Sequence, residues 1–457
     1  MIFLYRICLI AALGGLLFGY DYVVIGGAKP FYEAHFGIFD QPLLQGWAMS
    51  SALVGCLCGV LISGSMADRF GRKKLLILAA VLFTVSAVGT ALADSLSVFC
   101  IYRIISGGGI GLASGLSPMF IAEVSPKEYR GRFVSLNQLT IVIGILLAQI
   151  INFAIARPVP LDFSPLEIAA SWNGQIGWRW MFGAGTFPAI LFLILMFFIP
   201  ESPRWLVKNG NPDKARSILA RIGNGDYAQR ELEEIQQTIN TDAVGKVRFS
   251  ELLERKMIPV LALGVFLAVF QQWCGINVIF NYAEEVFTAA GYHISGMMFN
   301  IVITGIINLV FTFAAILTVD RWGRRPLMLI GAGGLAIIYG ILGFGYYIHL
   351  TGPIMLILVL IAIACYAMTL GPMVWVIIAE IFPNRIRGAA VSIAVAALWI
   401  ACTILNFTFP LLNAAFGSHG TFWIYGIICV LSLALIFRYL PETKGKSLEE
   451  IESEVFQ

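Results

Sequence analysis

Residues 67–74 read ADRFGRKK, and residues 319–326 read VDRWGRRP, 252 positions later. Two further pairs follow in the same order. AEVSPKEYRG at 122–131 returns as AEIFPNRIRG at 379–388, and PESPRWLVK at 200–208 returns more loosely as PETKGKSLE at 441–449. Offsets of 257 and 241 residues are far too long for solenoid units, so the chain consists of two homologous halves. Its solvent is lipid: 59% of its 457 residues are hydrophobic and 12% charged, against about 25% charged in an ordinary soluble domain. A spanning helix needs about 20 mostly apolar residues. Such windows fall near 5–27, 44–66, 75–93, 98–121, 133–155 and 179–199, then near 257–280, 298–319, 327–349, 353–379, 390–413 and 420–440. The sequence therefore predicts an all-α integral membrane protein of twelve transmembrane helices. The expected divisions are a six-helix half at 1–206, a helical linker at 207–256, a second six-helix half at 257–440 and a tail at 441–457. The first window has no small-residue cleavage site and carries an internal charge, so it reads as a retained helix.

Lys and Arg collect on the cytoplasmic side of membrane proteins. With the N-terminus inside, 26 of the 30 basic residues fall on cytoplasmic loops and helix ends; Lys29, Arg157 and Arg179 lie toward the outside, and Arg103 lies within the fourth window. Both termini are thus expected in the cytoplasm. All copies of the motifs share that side, which makes the halves parallel repeats about an axis along the membrane normal. A net charge of +3 then reflects topological anchors, and no nucleic-acid partner is expected. The linker carries NPDKARSILARI and AQRELEEIQQTI, whose apolar residues recur every three or four positions. These predict short amphipathic cytoplasmic helices packed beneath the bundle.

The eight cysteines fall in or at the ends of helices, with no disulfide framework or metal-ligand spacing, and the four histidines fall at external loops or helix ends. No metal, cofactor, nucleotide site or catalytic constellation is expected, and therefore no enzyme. The glycine-rich RIISGGGIGLASG follows no strand and reads as close helix packing. The repeated charges call for partners. Asp68, Arg72, Glu123, Arg130, Glu201 and Arg204 in the first half, and Asp320, Arg324, Glu380, Arg387 and Glu442 in the second, are expected to form networks that are intact in one conformation and strained in another. Ordinary helix-end anchoring is the plainer reading.

Among the apolar helices, Gln138, Gln271, Gln272, Asn277 and Asn308 are amides, each able to donate and accept. They suit either sugar hydroxyls or interhelical hydrogen bonds, and the residues alone leave both open. Trp375 and Trp399 offer flat faces to an apolar ring surface or serve as packing. Gly371–Pro372 interrupts the tenth window.

The segments GSMADRFGRKK, RIISGGGIGLASGLSPMFIAEVSPKEYRGR, PESPRWL, QQWCGINVIFNYAEEVF, GPMVWVIIAEIFPNRIRG and PETKGKSLEE resemble the sugar porter family of the major facilitator superfamily. The likeness is to its bacterial xylose–proton symporters and extends to animal facilitative glucose transporters. The resemblance implies the major facilitator fold, a central monosaccharide site between the halves and alternating access. It carries over Gln138, Gln271, Gln272, Asn277 and Asn308 as sugar contacts, with Phe18, Asn281, Gly371, Trp375 and Trp399 also at the site. Asn281 stands where the xylose pattern has tyrosine, Leu398 where it has glutamine and Cys402 where it has asparagine, so glucose, galactose and arabinose stand beside xylose as candidate substrates.

Asp21, in GGLLFGYDYVVIGG at 14–27, is a carboxylate in mid-membrane, which costs roughly 2.5–3.5 kcal/mol on insertion scales and so implies function and a partner. Arg103 is the one basic residue well inside a window. The resemblance implies that the two face each other and couple sugar movement to a proton. Burial favours the protonated form of a carboxyl and a guanidinium the ionised one, so a change of water access can switch occupancy. A structural ion pair is the alternative. The expected function is proton-coupled monosaccharide import across a bacterial inner membrane by a monomer. A facilitative uniporter is the nearer rival, and a non-transporting sugar sensor, which usually adds a long cytoplasmic tail, the more distant one.

Overall fold

The computed structural model describes residues 2–160, 163–243, 257–382 and 387–442, without the side chains of 238–243, 319–321, 379, 387 and 388. In the first half α1 (Ile2–Phe36), α2 (Pro42–Phe70), α3 (Arg72–Ala91), α4 (Leu96–Val124) and α5 (Arg130–Ile155) each cross the bundle. After a short α6 (Pro165–Ala170), a π-turn at Asn173–Gly177 leads into α7 (Trp178–Gly183) and α8 (Thr186–Met196), which complete a sixth span. Then come three short helices: α9 (Pro203–Lys208), α10 (Pro212–Ile222) and α11 (Gly225–Ala243). The second half holds α12 (Ile258–Trp273), α13 (Ile276–Asn281), α14 (Ala283–Ala289), α15 (Ile294–Trp322), α16 (Arg324–Tyr347), α17 (Pro353–Met368), α18 (Leu370–Glu380) and α19 (Arg387–Tyr439). The 53 residues of α19 are two spans turned at Gly417 (φ 66°, ψ 175°), so the eleven long apolar helical runs among the described residues amount to twelve crossings.

Among the described residues of the second half two spans are broken, each for a local reason. Gly275 takes φ 82° between α12 and α13. The tenth span parts at Thr369, three residues ahead of Pro372, and not at Gly371–Pro372 as expected. A proline has no N–H for the carbonyl four residues back, here that of Met368, and its ring crowds that carbonyl. The chain gives way there, one turn upstream of the ring.

Within the first half α4 packs along α2 and α3, and α1 along α5; between the halves α2 meets α19 and α5 meets α15. The glycine-rich run of α4 serves this packing: a Cβ on Gly107 would run into the carbonyl of Ala52. The small core of α9–α11, built from Leu206, Ala215, Leu219, Ala228 and Leu232, sits beneath the first half. Arg221 lies 4.0 Å from the Phe3 ring, and Glu234 pairs with Lys127. Burial on this docked surface pushes the Glu231 carboxyl above its ordinary range, and neighbouring Glu234 adds to the effect.

The repeat is visible in backbone geometry. Gly71 and Gly323 open α3 and α16 with φ 91° and 86°, and a Cβ at either would strike a carboxylate, Glu201 or Glu442. Those carboxylates accept from the first backbone N–H groups of the helices: Arg72 (3.0 Å) and Lys73 (3.1 Å) donate to Glu201, and Arg324 (3.0 Å) and Arg325 (3.2 Å) to Glu442. Negative charge at a helix N-terminus is favoured by the helix dipole. Glu201 and Glu442 thus cap the two helices. The side-chain pairs also repeat, with Arg72–Glu123 at 2.8 Å and Arg324–Glu380 at 3.2 Å. Ser202 Oγ donates to Glu123 (2.5 Å), and Asp68 lies 3.6 Å from Arg72. Arg130 turns toward the linker helix that carries Glu231, and Arg204 sits exposed on α9. The side chains of Asp320 and Arg387 lie outside the described residues.

Candidate functional site

A cavity of about 890 Å³ runs between the halves. Glu128, Gly131 and Arg132 stand at its mouth, so it opens at the end that carries the basic loops. Phe18, Gln138, Gln271, Gln272, Asn277, Asn308, Gly371, Trp375 and Trp399 all line it, which brings residues from α1, α5, α12, α13, α15, α18 and α19 to one space. Asn281 does not line it. That side chain is 2% exposed behind the wall and donates to Asn406 Oδ1 (2.8 Å), because α13 turns this position toward α19.

The amides form a chain. Asn277 Nδ2 donates to Gln272 Oε1 (2.5 Å), Gln272 Nε2 to Gln271 Oε1 (3.5 Å), and Gln271 Nε2 to the carbonyl of Gly371 (3.0 Å). That last carbonyl lies in the first turn after the break in the tenth span, so Gln271 also ties α12 to α18. This residue both borders the cavity and fastens a broken helix. Phe18 and Trp399 approach with ring centroids 5.9 Å apart. The Trp399 indole N–H is buried without a protein partner.

The wall contains further groups that the sequence did not single out: Tyr22, Thr312 and Tyr366. Tyr22 Oη and Cys402 Sγ are 3.3 Å apart, joining α1 to α19 across the two halves. Tyr22 was signalled only by its position beside Asp21. Leu398 and Cys402 leave the α19 side of the wall poor in strong hydrogen-bonding groups.

Asp21 and Arg103 do meet, beside the cavity and not in its lining. Arg103 Nη1 lies 2.9 Å from Asp21 Oδ1, and Nη2 donates to the Asp21 backbone carbonyl (3.1 Å). Ser106 Oγ, one turn further along α4, donates to Asp21 Oδ2. Arg103 is 1% exposed and stands 5.4 Å from the Phe182 ring, whereas the Asp21 side chain keeps 15% of its surface accessible. The carboxylate is therefore held on both oxygens yet still reachable by water. Ser106 was hidden in the sequence by the glycines around it. Among the described residues no cluster of His, Cys, Asp and Glu has the makings of a metal site.

Comparison with known proteins agrees over the whole chain. The family model for "Sugar (and other) transporter" matches residues 7–455. The D-xylose-proton symporter of Escherichia coli K12 is 41% identical, over 99% of this chain and 95% of its own. The arabinose-proton symporter of Bacillus subtilis is 38% identical, over 97% of this chain and 93% of its own. Among solved structures, a partially occluded inward-open conformation of the xylose transporter XylE from E. coli matches with a TM-score of 0.86 at 39% identity, over 98% of this chain and all of that one. A cavity of amides and aromatics between two repeated six-helix halves, matched from end to end in sequence and in structure, has one explanation: this multi-pass membrane protein belongs to the sugar transporter family of the major facilitator superfamily.

Proposed function

We propose that the chain is a proton-coupled symporter that imports a monosaccharide, a pentose or hexose, by alternating access. One observation carries this reading: the amide-lined cavity between the halves has a carboxylate–guanidinium pair at its side, 2.9 Å apart and partly open to water. Amides match hydroxyls, the aromatic rings match the C–H face of a sugar, and the pair supplies a group that can exchange a proton. The basic end faces the cytoplasm, both termini lie there, and the conformation described is open inward. Residues 1–206 and 257–440 move as two bodies, 207–256 spans them, and the monomer is the working unit in a bacterial inner membrane. The position of Asp21 outside the cavity lining favours the facilitative uniporter as a second reading, with the pair acting as a lock between α1 and α4. Radiolabelled xylose, arabinose, glucose and galactose, offered to proteoliposomes with and without a proton gradient, test both. Symport predicts gradient-dependent accumulation of at least one sugar, and its absence for a sugar that shows counterflow favours the uniporter.

The cytoplasmic networks set the inward–outward balance. The bonds described here stay within each half and persist while the cavity is open at that end. Closing that end brings the two sets together, and Glu123 and Glu380 supply the negative charge each presents to the other's arginines. Glu123→Gln or Glu380→Gln should therefore shift the population several-fold toward the inward-open form. Distances between cytoplasmic spin labels measure this, and an unchanged distribution would reduce these carboxylates to anchors.

A further inference from the structure

At the external end, Lys29 of α1 is shared by three carboxylates from both halves. Its Nζ lies 2.9 Å from Glu33 on the same helix, and 3.1 Å and 2.8 Å from Glu284 and Glu285 on α14. Lys29 and Glu33 are almost wholly buried, with side chains 3% and 1% exposed. Gln45 of α2 donates to the same Glu33 oxygen that Lys29 holds (3.0 Å). The other oxygen of Glu33, Oε1, and Oε2 of Glu285 are buried without a partner. Tyr32 and Tyr282 flank the group, the latter with its ring 5.9 Å from Nζ. Asp40 lines the adjoining cavity of about 550 Å³, in which Lys29 is the only base among the described lining residues. His35, further along α1, faces away toward Arg179 (3.4 Å).

One ammonium against three carboxylates leaves two negative charges uncompensated, or three with Asp40. Buried like charges at this separation disfavour full ionisation, and a proton is the smallest group that relieves them. We infer that Lys29, Glu33, Glu284 and Glu285 form a second proton-binding site, which latches the external gate with a proton that is not transported. Opening that gate parts α14 from α1, leaving Glu284 and Glu285 in water and Glu33 paired with Lys29, so the proton leaves by the side from which it came. Proton affinity is higher in the closed arrangement than in the open one. Closure is accordingly favoured at low external pH and lost as the pH rises through the affinity of the closed site. Transport stoichiometry is untouched, because this proton does not cross. The inference rests on alternating access but not on Asp21.

The test uses full-length Asp21→Asn in nanodiscs, with bioorthogonal spin labels at Leu92 and Ile348, exposed at the external ends of the two halves. A saturating transported sugar serves as a separate stimulus. The closed-to-open ratio should rise roughly tenfold for each unit of acidification in the titrating range. Adding Glu33→Gln, or Glu284→Gln should the first fail to fold, should flatten that response to less than twofold while the sugar response persists. A ratio insensitive to pH but responsive to sugar overturns the proton site alone; insensitivity to both overturns alternating access with it. A pH response that survives both glutamine variants places the proton elsewhere and overturns the assignment. Replacement of the pH response by a sodium response at fixed pH does the same.

Discussion

Asp21→Asn should abolish proton-driven accumulation while leaving sugar counterflow in place. A potential of 100 mV is worth about 2.3 kcal/mol per proton, enough for roughly fifty-fold accumulation of a neutral sugar. The variant should fall to equilibration, a ratio near one. Asparagine keeps the size of the side chain and one acceptor oxygen, but it holds no exchangeable acid. Arg103 retains its bond to the backbone carbonyl of residue 21 (3.1 Å) and its place beside the Phe182 ring. Breaking a fully buried pair costs about 3–5 kcal/mol. The 15% exposure of the Asp21 side chain and the surviving backbone bond place this site below that range. A lock between α1 and α4 behaves otherwise: thermal stability, sugar affinity and counterflow would decline together. Measured on one purified variant, stability, affinity and accumulation separate the two readings, and full accumulation by Asp21→Asn would place proton coupling on another group.

The spans and their pairing into halves were legible because lipid imposes long apolar runs and because the charged turns repeat. The amides were legible for the same reason: a polar side chain in an apolar helix stands out whatever its role. What the role would be was less so. Glu201 and Glu442 looked like partners for arginine side chains, yet their oxygens also bind the backbone N–H groups that open α3 and α16, a use set by helix ends and not by residue type. Asn281 looked like a sugar contact, but the geometry of a six-residue helix after Gly275 turns it to Asn406 behind the wall.

The external cluster was illegible for a different reason. Lys29 and Glu284 are 255 residues apart, and each sits where a charge near a helix end excites no comment. Only the packing of one half on the other gives them a common site. The same holds for Tyr22 and Cys402, separated by 380 residues and joined across the halves. Contacts between single residues so far apart in sequence needed the fold.

Gln272→Ala should weaken sugar binding by roughly thirty- to a thousand-fold without unfolding the protein. Gln272 lines the cavity at 6% exposure, accepts from Asn277 (2.5 Å) and donates only distantly to Gln271 (3.5 Å). Its amide therefore has capacity left for hydroxyls. Removing it forfeits one hydrogen bond of about 1 kcal/mol and strands a partner at about 1–3 kcal/mol, which sums to about 2–4 kcal/mol. Two neighbouring substitutions give the comparison its force. Gln271→Ala also frees the Gly371 carbonyl at the broken tenth span, so it should lower thermal stability as well as affinity. Asn281→Ala removes a bond behind the wall, to Asn406, and should lower stability with affinity nearly unchanged. Calorimetric affinity and a melting temperature for each variant distinguish a residue that binds sugar, one that binds and fastens, and one that only fastens. Wild-type affinity in Gln272→Ala would move the sugar site away from the amide chain.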